Sequence, residues 1–125
     1  MDGPNAISRH SAEGVIVGGI EHRRSVIVPW TGSVMAWPVA AFMQLTEAHF
    51  AALAELAPEV VIFGSGARIR FVPAALLRPL IERRIGIETM DTAAACRTYN
   101  VLIAEGRKAV AALLFESADE PAEPG

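Results

Sequence analysis

The feature that most constrains this chain is an uninterrupted apolar run, Val60-Val61-Ile62-Phe63, closed by Gly64-Ser65-Gly66. A strand with one wet face alternates apolar and polar residues; a run without alternation is a strand covered on both faces. Such a strand needs packing layers above and below it. The flanking sequence supplies candidates. Thr46 reads as an N-cap, with Glu47 at the helix start and Phe50, Leu53, Ala54 and Ala57 at helical spacing until Pro58 stops them. A second helix is expected from about Ala74 to Arg84, with Pro73 near its first turn, a core face of Leu76, Leu77, Leu80 and Ile81, a kink at Pro79 and Gly86 as the C′ residue. Gly86 to Met90 reads as a strand. Asp91 or Thr92 caps a third helix that ends near Glu105 and Gly106, and Lys108 to Phe115 is a final strand.

Upstream, Val15-Ile16-Val17 leads into Gly18-Gly19-Ile20. A polar turn at Glu21 to Arg24 and a return strand from Ser25 to Trp30 then suggest an N-terminal hairpin. A short strand at Val34 to Trp37 ends at Pro38. The expected fold is α/β: one three-layer domain over residues 13–116, a β-hairpin followed by α-β-α-β-α-β on a mixed sheet. Residues 1–12 read as a flexible N-terminus and residues 117–125 as a disordered acidic tail.

Composition narrows the function classes. The 125 residues are 52% hydrophobic and 20% charged, which excludes a disordered chain. A formal charge of −3 leaves no basic footprint for nucleic acid. The uncharged stretch Ser25 to Thr46 is long enough to span a membrane, but Pro29, Pro38, Gln44 and Thr31-Gly32-Ser33 argue against an integral segment. With no signal-peptide core at the start, the expected compartment is cytoplasmic. The single cysteine, Cys96, permits no internal disulfide and no cysteine-based zinc site.

No catalytic constellation emerges. His10, His22 and His49 fall in a tail, a turn and a helix start, and no spacing among them suits a metal or pairs with Cys96. Two features remain as candidate ligand or partner contacts. Gly64, Ser65 and Gly66 sit at a strand's C-terminal end, where α/β proteins bind ligands and where backbone amides can hold an anion. Their spacing matches neither a dinucleotide fingerprint, nor a P-loop, nor a nucleophile elbow, and a tight packing turn is the favoured explanation of them. Arg97 and Asn100 lie together on a flank of the third helix, a pairing suited to a carboxylate, a phosphate or a backbone turn, or else to plain solvation. The apolar residues Val28, Trp30, Val34, Trp37, Phe42 and Met43 are divided between core and interface.

The order of these segments carries a resemblance. Phe63-Gly64-Ser65-Gly66 is followed by Phe71-Val72-Pro73, by Gly86-Ile87-Glu88-Thr89-Met90-Asp91-Thr92, by Cys96-Arg97-Thr98-Tyr99-Asn100, and by Glu105-Gly106-Arg107 with a closing apolar strand. Over residues 13 to 115 this resembles a family of small domains of unknown function that includes the mitochondrial respiratory complex I assembly factor 3. The resemblance implies a three-layer α/β fold, no established enzyme activity, no established cofactor and a protein partner. The start, with Asp2 and few Arg or Ser residues, does not read as a transit peptide, so the chain looks like a bacterial relative. Two functions follow as expectations. One is a non-enzymatic protein-interaction domain, an assembly helper for a membrane (respiratory) complex. The other is a small-ligand or anion-binding domain using the Gly64-Ser65-Gly66 turn. The high apolar content leaves a homodimer open.

Overall fold

A computed structural model describes residues 3–116. Its frame is a five-stranded sheet in the order β5-β4-β8-β6-β7, made of β4 (Val26–Pro29), β5 (Met35–Ala36), β6 (Val60–Gly64), β7 (Gly86–Met90) and β8 (Ala109–Leu113). The strands β8, β6 and β7 run parallel, and β4 is antiparallel to both β8 and β5. The helices are α1 (Glu47–Ala54), α2 (Arg78–Glu82) and α3 (Thr92–Ala104). The chain moves outward from β6 to β7 through α2, then back across β6 to β8 through α3. Right-handed crossovers in opposite directions put their helices on opposite faces, and the two cores follow. Val61, Phe63, Val110 and Ala112 pack with Phe50, Leu53 and Leu80 from α1 and α2. Ile62, Ala111 and Leu113 pack with Ala95, Cys96, Tyr99 and Ile103 from α3. The uninterrupted run at 60–63 is thus a strand with a helical layer on each side, as its pattern requires.

The N-terminal region departs from expectation. Ile7–Ser11, assigned to the flexible N-terminus, form a strand, β1. It pairs with β2 (Gly14–Val17), which pairs with β3 (Ile20–His22) in a separate three-stranded antiparallel sheet. This sheet lies on the α3 side, where Ile7, Val15 and Val17 join that core. The hairpin partner was also misassigned. Gly18 and Gly19 have φ of +58° and +80°, the paired left-handed conformation of a two-residue hairpin turn. They are therefore the turn itself and not the end of a strand. Val26–Pro29 leaves this sheet and pairs with β8 instead.

The second helix also differs. Ala74–Leu77 form a 3₁₀ turn and only Arg78–Glu82 are α-helical, because Pro79 has no N–H to continue an earlier ladder and serves in the first turn. The short helix buries Leu80 but leaves Ile81 58% exposed, contrary to the expected core face. Arg84 at φ +58°, and not Gly86, makes the left-handed exit. The mixed region 28–43 sorts into core and surface: Val28 and Trp37 are buried, Trp30, Val34 and Phe42 half-buried, and Met43 is 88% exposed. The acidic tail at 117–125 lies outside the described residues. Among those residues no helix is long and apolar enough to cross a membrane.

Candidate functional site

At the C-terminal ends of β6 and β7 the chain departs toward opposite faces of the sheet, the position where open α/β sheets form ligand crevices. Here the Gly64-Ser65-Gly66 turn fills that position. The Ser65 N–H donates to the Met90 carbonyl at 2.9 Å, and the Gly66 N–H to the Thr92 hydroxyl at 2.9 Å. Thr92 N–H returns a bond to the Gly66 carbonyl at 2.8 Å. The fully buried Ser65 hydroxyl donates to the Arg68 carbonyl at 2.8 Å and accepts from the Arg70 N–H at 2.9 Å. The Ser65 and Gly66 amides, expected to be available to an anion, are committed to β7 and α3.

A cation closes the turn from outside. The Arg70 guanidinium donates twice to the Ser65 carbonyl, at 2.6 and 3.2 Å, and pairs with Glu116 at 3.0 Å. It also stacks on Phe42, 4.7 Å from the ring centre. Glu116 accepts in addition from the Phe42 N–H at 2.9 Å. Burial works against the Glu116 charge, but these donors outweigh it and hold the carboxyl below the ordinary glutamate range. Arg70 and Glu116 are 46 positions apart with no local pattern linking them, so nothing in the sequence marks them as a pair.

Arg97 and Asn100 are not brought together in one task. Arg97 is exposed on α3. Asn100 clamps β1: its amide donates to the Ile7 carbonyl and its carbonyl oxygen accepts the Ile7 N–H, both at 2.8 Å. One side chain thereby supplies the pair of bonds a neighbouring strand would make. Tyr99 extends the clamp, its hydroxyl lying 3.0 Å from the Asn5 and Pro29 carbonyls. The two α3 residues therefore separate in an experiment. Asn100→Ala is expected to lower stability by about 1–2 kcal/mol and speed amide exchange at Ile7, while Arg97→Ala stays within about 0.5 kcal/mol of the parent in urea unfolding.

A groove of about 550 Å³ opens beside the turn, between the first turn of α3 and the ends of β1 and β8. Gly66 and Thr92 border it; Ser65, Arg97 and Asn100 do not. His10, Asp91, Leu114, Phe115 and Glu116 also line it, a mixture of apolar and acidic side chains. Asp91 already accepts the Ala94 N–H at 2.9 Å as the α3 cap. With Glu116 paired to Arg70, the Asp91 carboxylate is what favours a neutral or cationic guest over an anion.

The nucleophile inventory is inert. Burial pushes the Cys96 thiol up to about 12, against a small opposing pull from Arg97. The folded protein is expected to leave a disulfide reagent such as DTNB unreacted at pH 8 and to release one thiol equivalent on unfolding. Rapid labelling of the native state would show that α3 opens locally. Among the described residues, no three His, Cys, Asp or Glu side chains converge as a metal site.

Together these features define a three-layer α/β domain whose glycine turn is locked by serine, threonine and arginine. The chain belongs to the family described as protein of unknown function (DUF498/DUF598), whose sequence pattern matches residues 7–114. It is 34% identical over 111 residues to the Bos taurus NADH dehydrogenase [ubiquinone] 1 alpha subcomplex assembly factor 3, covering 86% of this chain and 59% of that protein. It thus spans less than two thirds of that relative's length. An uncharacterised protein of Rhodobacter capsulatus is 38% identical over 99 residues, covering 78% of this chain and 68% of the other. Among solved structures, a Bordetella parapertussis protein superposes with a TM-score of 0.85 at 35% identity, covering 90% of this chain and 97% of that one. A Bordetella pertussis protein described as a Mth938-like domain gives 0.81 at 28% identity, covering 97% and 93%.

Proposed function

We propose that this domain is a non-enzymatic, cytoplasmic protein-interaction module that helps assemble a membrane-bound respiratory complex. The observation that carries the reading is the 34% identity, over 86% of the chain, to a protein named as an assembly factor of NADH dehydrogenase. The surface is consistent with a docking role. Met43 and Phe71, 88% and 72% exposed, are each one residue from the stacked Phe42–Arg70 pair, so an apolar shoulder projects beside the locked turn. Arg97 is the sequence-predicted contact that stays available on the surface, while Asn100 is engaged with β1 and Ser65 with the turn. Tagged protein recovered from gently solubilised membranes is expected to carry subunits of a respiratory complex. Met43→Ser with Phe71→Ser, or Arg97→Glu, is expected to reduce that recovery without changing the melting temperature. Absence of such subunits from the parent pull-down would overturn the reading.

The groove beside Gly66 favours a second reading, binding of a small neutral or cationic molecule. Thermal-shift screening of amines and neutral metabolites tests it. A stabiliser whose effect disappears in Ala67→Trp, which would fill the groove, supports it.

A further inference from the structure

Among the described residues the two sheets have four edges, and three of them are closed to pairing. In the small sheet, the Ile7 N–H and C=O of edge strand β1 are taken by Asn100, and a register shift between Ile7 and Arg9 bulges the strand. The opposite edge, β3, has only three residues. In the five-stranded sheet, edge strand β5 has only two residues, with Pro38 close behind. The remaining edge, β7, has five residues, no proline and no lysine.

Its open hydrogen-bonding groups follow from the parallel ladder. The Gly86 N–H donates to the Glu59 carbonyl, and the Met90 carbonyl accepts from Ser65, so Gly86, Glu88 and Met90 face β6. Ile87 and Thr89 therefore turn their N–H and C=O groups outward. Among the described residues nothing bonds to these four groups. Glu88 is exposed between them, and Arg107, the nearby cation, is bound to Glu59 at 2.6 Å.

We propose that β7 receives an extended strand from a partner protein that carries Lys or Arg opposite Glu88. The geometry selects the occupant. An antiparallel strand that uses all four outward groups forms hydrogen-bonded pairs at Ile87 and Thr89 and sets one residue directly opposite Glu88, at about 4.5 Å between Cα atoms. If a second copy of this chain pairs in that register, Glu88 meets Glu88, and directly opposed like charges oppose the pairing. A cation at that position is attracted instead. This rests on the interaction-module reading and names one surface for it.

The test uses the ¹⁵N-labelled 125-residue chain and two synthetic peptides, acetyl-Thr-Val-Thr-Lys-Thr-Val-Thr-amide and its Lys→Glu counterpart. With millimolar Lys peptide, shift changes are expected along 86–90, with slowed amide exchange at Ile87 and Thr89. The Glu peptide is expected to bind about fivefold more weakly, and Glu88→Lys to reverse the preference. Thr89→Pro is expected to abolish binding while the β6–β7 ladder stays intact, since the Thr89 N–H faces outward; where that variant fails to fold, the Glu88 reversal still decides. Equal binding of the two peptides, shifts confined to another surface, or no binding at all would overturn the proposal. So would a free protein that is already dimeric, with Ile87 and Thr89 protected. None of these results alters the membrane pull-down, so this surface and the assembly role can fail separately.

Discussion

Trp37→Ala is expected to cost roughly 3–5 kcal/mol of folding stability, the usual range for deleting a buried aromatic side chain. Trp37 is 2% exposed and meets His49, Phe50 and Phe63 edge to face, with ring centres 5.8 to 6.2 Å apart. Its indole N–H donates to the His49 carbonyl at 3.1 Å. It thus joins the loop after β5 to both α1 and β6. Urea unfolding at constant pH measures the effect. A loss below about 1 kcal/mol would mean that the loop re-packs and that this aromatic cluster is not a rigid wall of the core.

Gly64→Ala is expected to cost roughly 2 kcal/mol, a large effect for one methyl group. A Cβ at this position would lie 2.9 Å from the Thr92 Cα, 3.1 Å from the Ala95 Cβ and 3.1 Å from a Leu113 methyl. The first of these is backbone, at the start of a helix already tied to the turn through Gly66 and Thr92. Relief therefore requires α3 to move off the sheet. The comparison variant is Ser65→Ala. It leaves the half-buried Arg70 N–H without its acceptor and is expected to cost about 1–2 kcal/mol by a hydrogen-bonding route. Equal stability of Gly64→Ala and the parent would show that α3 can shift freely, and the lock described above would not hold.

What the sequence by itself determined is local in origin. The unbroken run at 60–63 specified a strand covered on both faces, and the structure places helices on both. Thr46, and Asp91 or Thr92, marked helix starts because capping depends on residues within one turn of each other, and the structure makes Asp91 the cap of α3. Helical spacing puts Ala95, Cys96, Tyr99, Leu102 and Ile103 on one face of α3, and all of them are buried except the half-buried Leu102, because helical periodicity is a property of the segment alone. The α/β class followed from the same local order of elements. The family resemblance pointed to an assembly-factor relative, and the match over residues 7–114 shows that family.

Tertiary structure decided everything that depends on long-range partners. Ile7 reads as part of a polar tail, and it becomes a strand residue because β1 pairs with β2 while Asn100, 93 positions away, takes its outward hydrogen-bonding groups. Val26–Pro29 could have completed a local hairpin, but Gly18 and Gly19 closed that hairpin earlier, and burial beside β8 was then available to it. The Gly64-Ser65-Gly66 turn has the glycines of a ligand loop. Its amides are engaged because Met90 and Thr92 arrive at the adjoining strand end and helix start, a juxtaposition that only the crossover creates. Arg97 and Asn100 share a helix flank in sequence yet serve separate ends, since one meets solvent and the other meets β1. Local patterns fix the elements and their buried faces; which polar group satisfies which is settled when distant segments meet, because a buried donor is costly until it has an acceptor.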